Sequence, residues 1–169
     1  MLQSYGVPVL GSDEVRLRGE AVERLRDLVS AAFTDGEELI VASAYRSYED
    51  QETLHGRLNS IYGSDAELMT AYPGYSQHQL GTAVDFTNEK ANYQVAELFG
   101  YTTAAQWLSN HAHEYGFILA YPSGHEADTG YEWEPWHYRY VGVKNAERIT
   151  DDGLSLQEFL VLEGVVPHC

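Results

Sequence analysis

The chain has a single cysteine, Cys169, at its very end. An internal disulfide is therefore impossible, a metal site built on thiolates is excluded, and the thiol is expected to be exposed and incidental. Basic residues are also scarce: 10 Lys and Arg stand against 26 Asp and Glu, for a net charge of -16. Phosphate binding needs clustered cations that this chain does not supply, so nucleic acid is excluded as a partner. Anionic membrane surfaces are disfavoured on the same ground. The acidity suits solubility or a saline habitat equally and says little about chemistry. No run approaches the roughly 18 apolar residues of a membrane span. Repeats, low-complexity tracts and linkers are missing too. Met1-Leu2-Gln3-Ser4-Tyr5-Gly6-Val7-Pro8 has neither a basic start nor a long apolar stretch, so no signal peptide is expected there. What is present, 169 residues with 44% hydrophobic and 12% aromatic content, suffices for one domain over residues 1–169 with a substantial core.

The densest chemistry lies in residues 73–87, Pro73-Gly74-Tyr75-Ser76-Gln77-His78-Gln79-Leu80-Gly81-Thr82-Ala83-Val84-Asp85-Phe86-Thr87. A potential metal ligand stands near each end. Their spacing would place His78 and Asp85 on one helix face, but Gly74, Gly81 and the β-branched Thr82 and Val84 oppose a helix. A turn running into a short strand is predicted instead. In a strand, Thr82, Val84 and Phe86 face one side and Ala83, Asp85 and Thr87 the other, so Asp85 can look into a site while Val84 and Phe86 enter the core. A buried Asp needs a partner, and a cation is one. About fifty residues on, Tyr131-Glu132-Trp133-Glu134-Pro135-Trp136-His137-Tyr138-Arg139-Tyr140-Val141 contributes His137. Two histidines and a carboxylate with one position left open is the layout of a catalytic rather than a structural zinc site. Glu134 is then free to handle protons. Water on such a metal has a pKa near ~7, and a neighbouring carboxylate can take its proton and pass it to a leaving amine. That is the chemistry of peptide-bond hydrolysis.

The pattern Ser76-x-His78-x6-Asp85, followed by Glu134-Pro-Trp-His137 and preceded by Ser43-Ala-Tyr-Arg46-Ser47-Tyr48-x2-Gln51, resembles the zinc D-alanyl-D-alanine carboxypeptidases of the VanY type. These belong to the wider lysostaphin, D-Ala-D-Ala and Hedgehog-type fold group. The likeness runs from about Ile40 to Val141, and its specificity comes from three motifs in the right order. It implies an α+β fold in which a small central antiparallel sheet carries the zinc site and helices flank it. The catalytic core would span about residues 13–142, with a helical tail over 143–169. By the same resemblance His78, Asp85 and His137 would bind Zn2+ and Glu134 would be the catalytic base. Arg46 would hold the substrate carboxylate or the developing oxyanion, while Ser76, Gln51, Tyr75 and Trp136 would line the substrate pocket. The implied substrate is the peptidoglycan stem peptide, cut at its terminal D-Ala; no protein partner is evident from the sequence. The implied location is extracytoplasmic or at the cell wall, reached from a trimmed chain, by another export route, or during phage lysis.

Along the chain, Val15, Val22, Leu25, Leu28, Val29, Ala32 and Phe33 recur at three and four, which predicts an amphipathic helix over Asp13–Phe33 ended by Asp35-Gly36. Glu38 to Ser43 reads as a buried strand delivering Arg46 to its end. Ser47 can cap a helix to about Ile61, with Gln51 on its first turn close to Arg46. Arg46 alone would be taken for a surface ion-pair residue. The flanking strand and Gln51 favour a guanidinium that grips a carboxylate through two parallel bonds. Gly63 to Pro73 reads as a loop, and Tyr72 and Tyr75 fit a cleft or ordinary packing equally. Asn88 to Gly100 is expected to hold a short helix. Thr103-Ala104-Ala105-Gln106 reads as a capping box opening a helix with Trp107, Leu108, His111, Ala112 and Tyr115 inward, closed by Gly116. His55, His111 and His113 read as structural or solvated. Phe117 to Tyr121 is a second core strand. His125 lies in a following loop as polar surface or a substrate contact. Trp136 to Val141 alternates like a strand, with His137, Arg139 and Val141 on one side. Val143 to Ile149 can be helical, and Ser155-Leu156-Gln157-Glu158 is a second capping box. The tail is expected to pack on the core or on another subunit.

Rival explanations of the central residues fare worse. A Ser76, His78, Asp85 hydrolase triad lacks the Gly-x-Ser-x-Gly elbow and crowds its members along the chain. A wall-binding module that has lost catalysis would have no use for a free Glu134 beside His137. An endopeptidase, such as a phage lysin, or an L,D-carboxypeptidase would share the same zinc set and differ only in pocket walls.

Overall fold

Four short strands, β1 (Ile40–Ser43), β2 (Ala83–Thr87), β3 (Phe117–Leu119) and β4 (His137–Tyr140), form one antiparallel sheet in the order β1-β2-β4-β3. The structure is a computed structural model and describes residues 1–11 and 14–165. Its mixture of helices and a small antiparallel sheet is the predicted fold class. Register matters for the chemistry, because Asp85 sits directly opposite His137 and Val84 opposite Tyr138. Directly paired residues project to the same side, so Asp85 and His137 share one face while Val84, Phe86 and Tyr138 share the other.

The second face carries the main core. Helix α1 (Gly19–Thr34) lays Ala21, Val22, Leu25, Leu28, Val29 and Ala32 on it. Helix α4 (Thr103–His111) adds Ala104, Ala105 and Leu108. The rings of Phe86 and Tyr138 meet edge to face at 5.6 Å in its centre. Burying a large apolar side chain contributes about 1.5–3 kcal/mol, so this face anchors β2 and β4 and fixes their register.

Several boundaries differ from expectation. The predicted first helix begins at Gly19, not Asp13, a residue that lies outside the described ones. Residues 14–18 are non-helical because neighbouring segments capture their backbone: Leu2 N–H donates to Val15 O at 2.8 Å, Tyr45 N–H to Arg16 O at 2.9 Å, and Arg18 N–H to Gly81 O at 2.9 Å. Val15 and Leu17 still pack against the core, alternating with charged residues. Phe33, placed on the inner face by spacing, is 79% exposed. The expected loop at 63–73 contains a short helix, α3 (Ala66–Met69), after α2 (Tyr48–Tyr62). Residues 88–100 hold two 3₁₀ turns, Glu89–Ala91 and Glu97–Tyr101, where a short helix was expected. Thr102, not Thr103, caps α4, accepting from Ala105 N–H, while the Thr103 hydroxyl donates to Glu37 at 2.8 Å. The loop after β3 winds one turn as α5 (Glu126–Thr129).

The tail forms α6 (Val143–Asp152) and α7 (Leu156–Leu162), the latter opened by the expected capping box of Ser155 and Glu158. Ala146, Ile149, Leu156 and Phe159 pack around Ile118 in a second hydrophobic cluster. Ile118 pairs with Arg139 on the sheet, so the tail covers the β3 end of the metal-site face. Cys169 lies outside the described residues. Among the described residues, no helix is long and apolar enough to cross a membrane.

Candidate metal centre

The turn that carries His78 is built by its own sequence. Pro73-Gly74 reverses the chain, and the Gln79 side chain accepts from Gly74 N–H at 2.7 Å. Residues Gln77–Leu80 then wind one 3₁₀ turn, ended by Gly81 at φ 68. A left-handed residue is needed there, and glycine adopts it without a Cβ penalty. The His78 carbonyl accepts from Arg46 N–H at 3.3 Å, tying this turn to the end of β1. His137 is delivered by a second tight turn, in which His137 N–H donates to Glu134 O at 3.0 Å and Glu134 N–H to Tyr121 O at 3.1 Å. Pro135 keeps that segment from becoming a helix.

These supports bring His78, Asp85 and His137 together, with relative exposures of 6%, 6% and 4%. His78 Nε2 lies 3.2 Å from Asp85 Oδ2, and His137 Nδ1 lies 2.9 Å from Asp85 Oδ1. The far nitrogens also meet acceptors: His78 Nδ1 is 2.6 Å from the Ala44 carbonyl, and His137 Nε2 is 3.3 Å from Gln77 Oε1. A neutral imidazole has one proton and cannot satisfy oxygens on both sides. A cation between the two rings and Asp85 removes the conflict, since each ring then donates outward and offers its lone pair inward. The donor set of two imidazoles and a carboxylate suits Zn2+ with one position open.

Electrostatics agree. Burial works against the Asp85 charge, but His78 and His137 outweigh it and hold the carboxyl well below its usual range. Burial depresses the basicity of His137 despite Asp85, which favours the neutral, ligating ring. Glu134 is pushed up to about 8 by burial and by the nearby Asp85 charge. Its Oε2 stands 3.9 Å from His137 Nδ1, and Glu134 lines the same cavity as the three donors. A bound dication would reverse that shift by favouring the carboxylate.

The centre opens into a cavity of about 260 Å³ whose lining includes Arg46, Ser76, Glu134 and Trp136, together with Tyr121 and Tyr131. Arg46 donates from Nη1 to Gln51 Oε1 at 2.8 Å and from Nη2 to Ser43 Oγ at 3.3 Å. It has no carboxylate partner among the described residues. Gln51, expected to line the pocket, is corrected to a support: it is 0% exposed and its amide is consumed by Arg46, Thr70 and Ala71. Tyr75 is 83% exposed and stands outside the lining. His125 lies outside that lining and turns to Glu158 at 3.2 Å and Asp128 at 3.6 Å, between α5 and α7. His111 pairs with Glu114 and His55 stacks on Tyr72, as structural roles require. Sequence reasoning missed Gln77 and also Tyr121, which stacks on His137 at 5.1 Å. Gln77's only signal was its place between Ser76 and His78.

Fold and site together are of the zinc-metallopeptidase type, a small antiparallel sheet carrying a His-Asp-His donor set beside a cavity. The chain belongs to the VanY D-alanyl-D-alanine carboxypeptidase family, whose model matches residues 14–143. It is 38% identical over 149 residues to a D-alanyl-D-alanine carboxypeptidase of Enterococcus faecalis, covering 82% of this chain and 53% of the relative. The chain spans about half the length of three of the curated relatives it matches and 78% of a fourth. Among solved structures it resembles the LdcB LD-carboxypeptidase, with a TM-score of 0.86, 38% identity, and 91% of this chain and 74% of the other covered. It also resembles a vancomycin-resistance D,D-pentapeptidase VanY in complex with Zn(II), with a TM-score of 0.76, 34% identity, and coverage of 94% and 92%.

Proposed function

We propose that this chain removes the terminal D-alanine from peptidoglycan stem peptides, acting outside the cytoplasm at the cell wall. The observation that carries the reading is Arg46: a guanidinium without a carboxylate partner among the described residues, anchored by Gln51 and Ser43, on the wall of the cavity that holds the His-Asp-His centre. Such a group is placed to receive a free C-terminal carboxylate through two parallel bonds.

Zinc, when bound by His78, Asp85 and His137, supplies Lewis acidity and a water with a pKa near ~7. Glu134 would accept a proton from the attacking water on its carboxylate and pass it to the departing amino group of D-alanine, so that the peptide C–N bond breaks as a new C–O bond forms. Arg46 fixes the terminal carboxylate and thereby the scissile carbonyl. Ser76 and Trp136 border the peptide from the cavity wall, and Tyr75 meets it at the outer rim. Tyr121 and Tyr131 narrow the cavity beside Glu134 and keep bulk water from it.

A second reading, removal of D-alanine from an L,D bond, is favoured by the resemblance to the LdcB LD-carboxypeptidase. Both reactions use the same centre and differ in the residue before the scissile bond. Incubation with defined pentapeptide and tetrapeptide muropeptides, followed by mass measurement, separates them. Loss of one D-alanine from the pentapeptide supports the D,D reading, and loss from the tetrapeptide alone supports the L,D reading. Internal cleavage, or no change in mass, defeats both.

A further inference from the structure

The two imidazoles at the centre are oriented by chemically different means. His78 Nδ1 donates to the main-chain carbonyl of Ala44 at 2.6 Å, a support that no side-chain substitution removes. His137 presents Nδ1 to Asp85 at 2.9 Å and to Glu134 at 3.9 Å, so Nδ1 is its metal-facing atom and the proton must reside on Nε2. With the residue 4% exposed, water is a poor acceptor for that proton. Among the described residues, the acceptor in range of Nε2 is Gln77 Oε1 at 3.3 Å.

We infer that Gln77 is the positioning residue that sets the tautomer and ring orientation of His137 for zinc. The competing state is visible in the same geometry: if Nδ1 carried the proton, it would donate to Asp85 Oδ1 and occupy the lone pair and the carboxylate that the metal needs. An acceptor at Nε2 stabilises the ligating tautomer over this self-satisfied one. Tyr121, stacked on the ring at an interplanar angle of 20°, limits tilting but cannot tell Nδ1 from Cδ2. Discrimination between the ring faces and tautomers therefore falls to Gln77. Because Gln77 and His78 are consecutive in one 3₁₀ turn, the same short segment supplies one ligand and orients another that lies 60 residues away. Loss of an outer partner of a metal-bound histidine typically weakens binding about 10–100-fold.

The inference rests on the zinc centre and not on which peptide bond is cut. The test is a titration of the zinc-loaded full chain with a chromophoric chelator at fixed pH, for wild type, Gln77→Leu and Gln77→Glu. Gln77→Leu is expected to hold zinc about 10–100-fold less tightly. Gln77→Glu, which keeps an acceptor, is expected to match wild type or bind more tightly. Histidine ¹⁵N shifts of the metal-free proteins should move His137 toward the Nδ1–H form in Gln77→Leu only. Should Gln77→Leu fail to fold, Gln77→Met, unbranched and of similar length, carries the same comparison. The inference is overturned if the apolar variant binds zinc within twofold of wild type. Equal weakening by Leu and Glu overturns it too, since shape rather than an acceptor would then matter. A chain that follows these expectations yet releases no D-alanine would defeat the proposed function and leave this inference standing.

Discussion

Replacing Gln51 with leucine tests how a buried amide, remote from the reacting atoms, governs both stability and substrate capture. Gln51 is 0% exposed, donates from Nε2 to Thr70 Oγ1 at 2.9 Å and to Ala71 O at 2.7 Å, and accepts from Arg46 at 2.8 Å. Two neutral bonds at about 1 kcal/mol each and one to a guanidinium at about 1.5–3 kcal/mol set the scale. Burial of the leucine offsets part of that, leaving a net loss of about 2–3 kcal/mol. In a domain of this size the melting temperature should fall by about 4–12 °C. Function should suffer separately, because among the described residues Arg46 is then left with Ser43 as its side-chain anchor. Misplacement of a substrate clamp by an ångström costs about 100-fold, and here the loss should appear in kcat/KM for a peptide with a free C-terminus. A C-terminally amidated peptide, which offers Arg46 no carboxylate, should be cut poorly by both proteins. Thermal unfolding and steady-state hydrolysis on the same preparations provide the assay. A Gln51→Leu protein that melts with wild type and retains its kcat/KM would refute the reasoning.

Other perturbations follow from the same contacts. Glu134→Gln keeps the shape of the side chain but cannot accept a proton, so kcat should drop by about 100–10,000-fold with zinc content unchanged; product release by mass and metal analysis read the two effects. Gly116→Ala should destabilise by more than about 1–3 kcal/mol, because a Cβ at φ +84 would stand 2.7 Å from the Tyr140 ring and 2.9 Å from Val143 N; a chemical denaturation curve measures it. Chelation of zinc from a protein held at about 1,000 times its Kd should remove about 4 kcal/mol of stability. That protection should shrink as pH falls, since protons compete for the imidazole lone pairs; melting curves with and without chelator across pH follow it. His125→Ala removes only half-exposed pairs to Asp128 and Glu158. It should cost no more than about 1 kcal/mol and leave zinc content unaltered, read by the same melts and metal analysis.

The metal centre was legible because each ligand sits inside a short pattern with its own backbone logic. Strand alternation placed Asp85 opposite to Val84 and Phe86, and the Glu134-Pro135 turn fixed the entry of His137. What the spacing could not reveal was pairing across the chain. Gln77 reads as one polar residue among several, and its meaning arises only when β4 brings His137 beside it. Gln51 was associated with Arg46 by proximity, but its burial depends on Thr70 and Ala71, some twenty residues away. The start of α1 was misplaced because Val15 and Leu17 satisfy a two-residue period as well as the helical one. There, hydrogen bonds to Leu2, Tyr45 and Gly81 decided between them. Thr102 and Thr103 are equivalent as capping candidates from composition, and the Glu37 contact to Thr103 distinguishes them.

Zinc content per chain, measured by mass spectrometry on purified wild type, His78→Ala, Asp85→Ala, His137→Ala and His113→Ala, addresses the centre itself. One ion per chain is expected in wild type and in His113→Ala, with near-complete loss in the other three. Full zinc content in His78→Ala or His137→Ala would contradict the account.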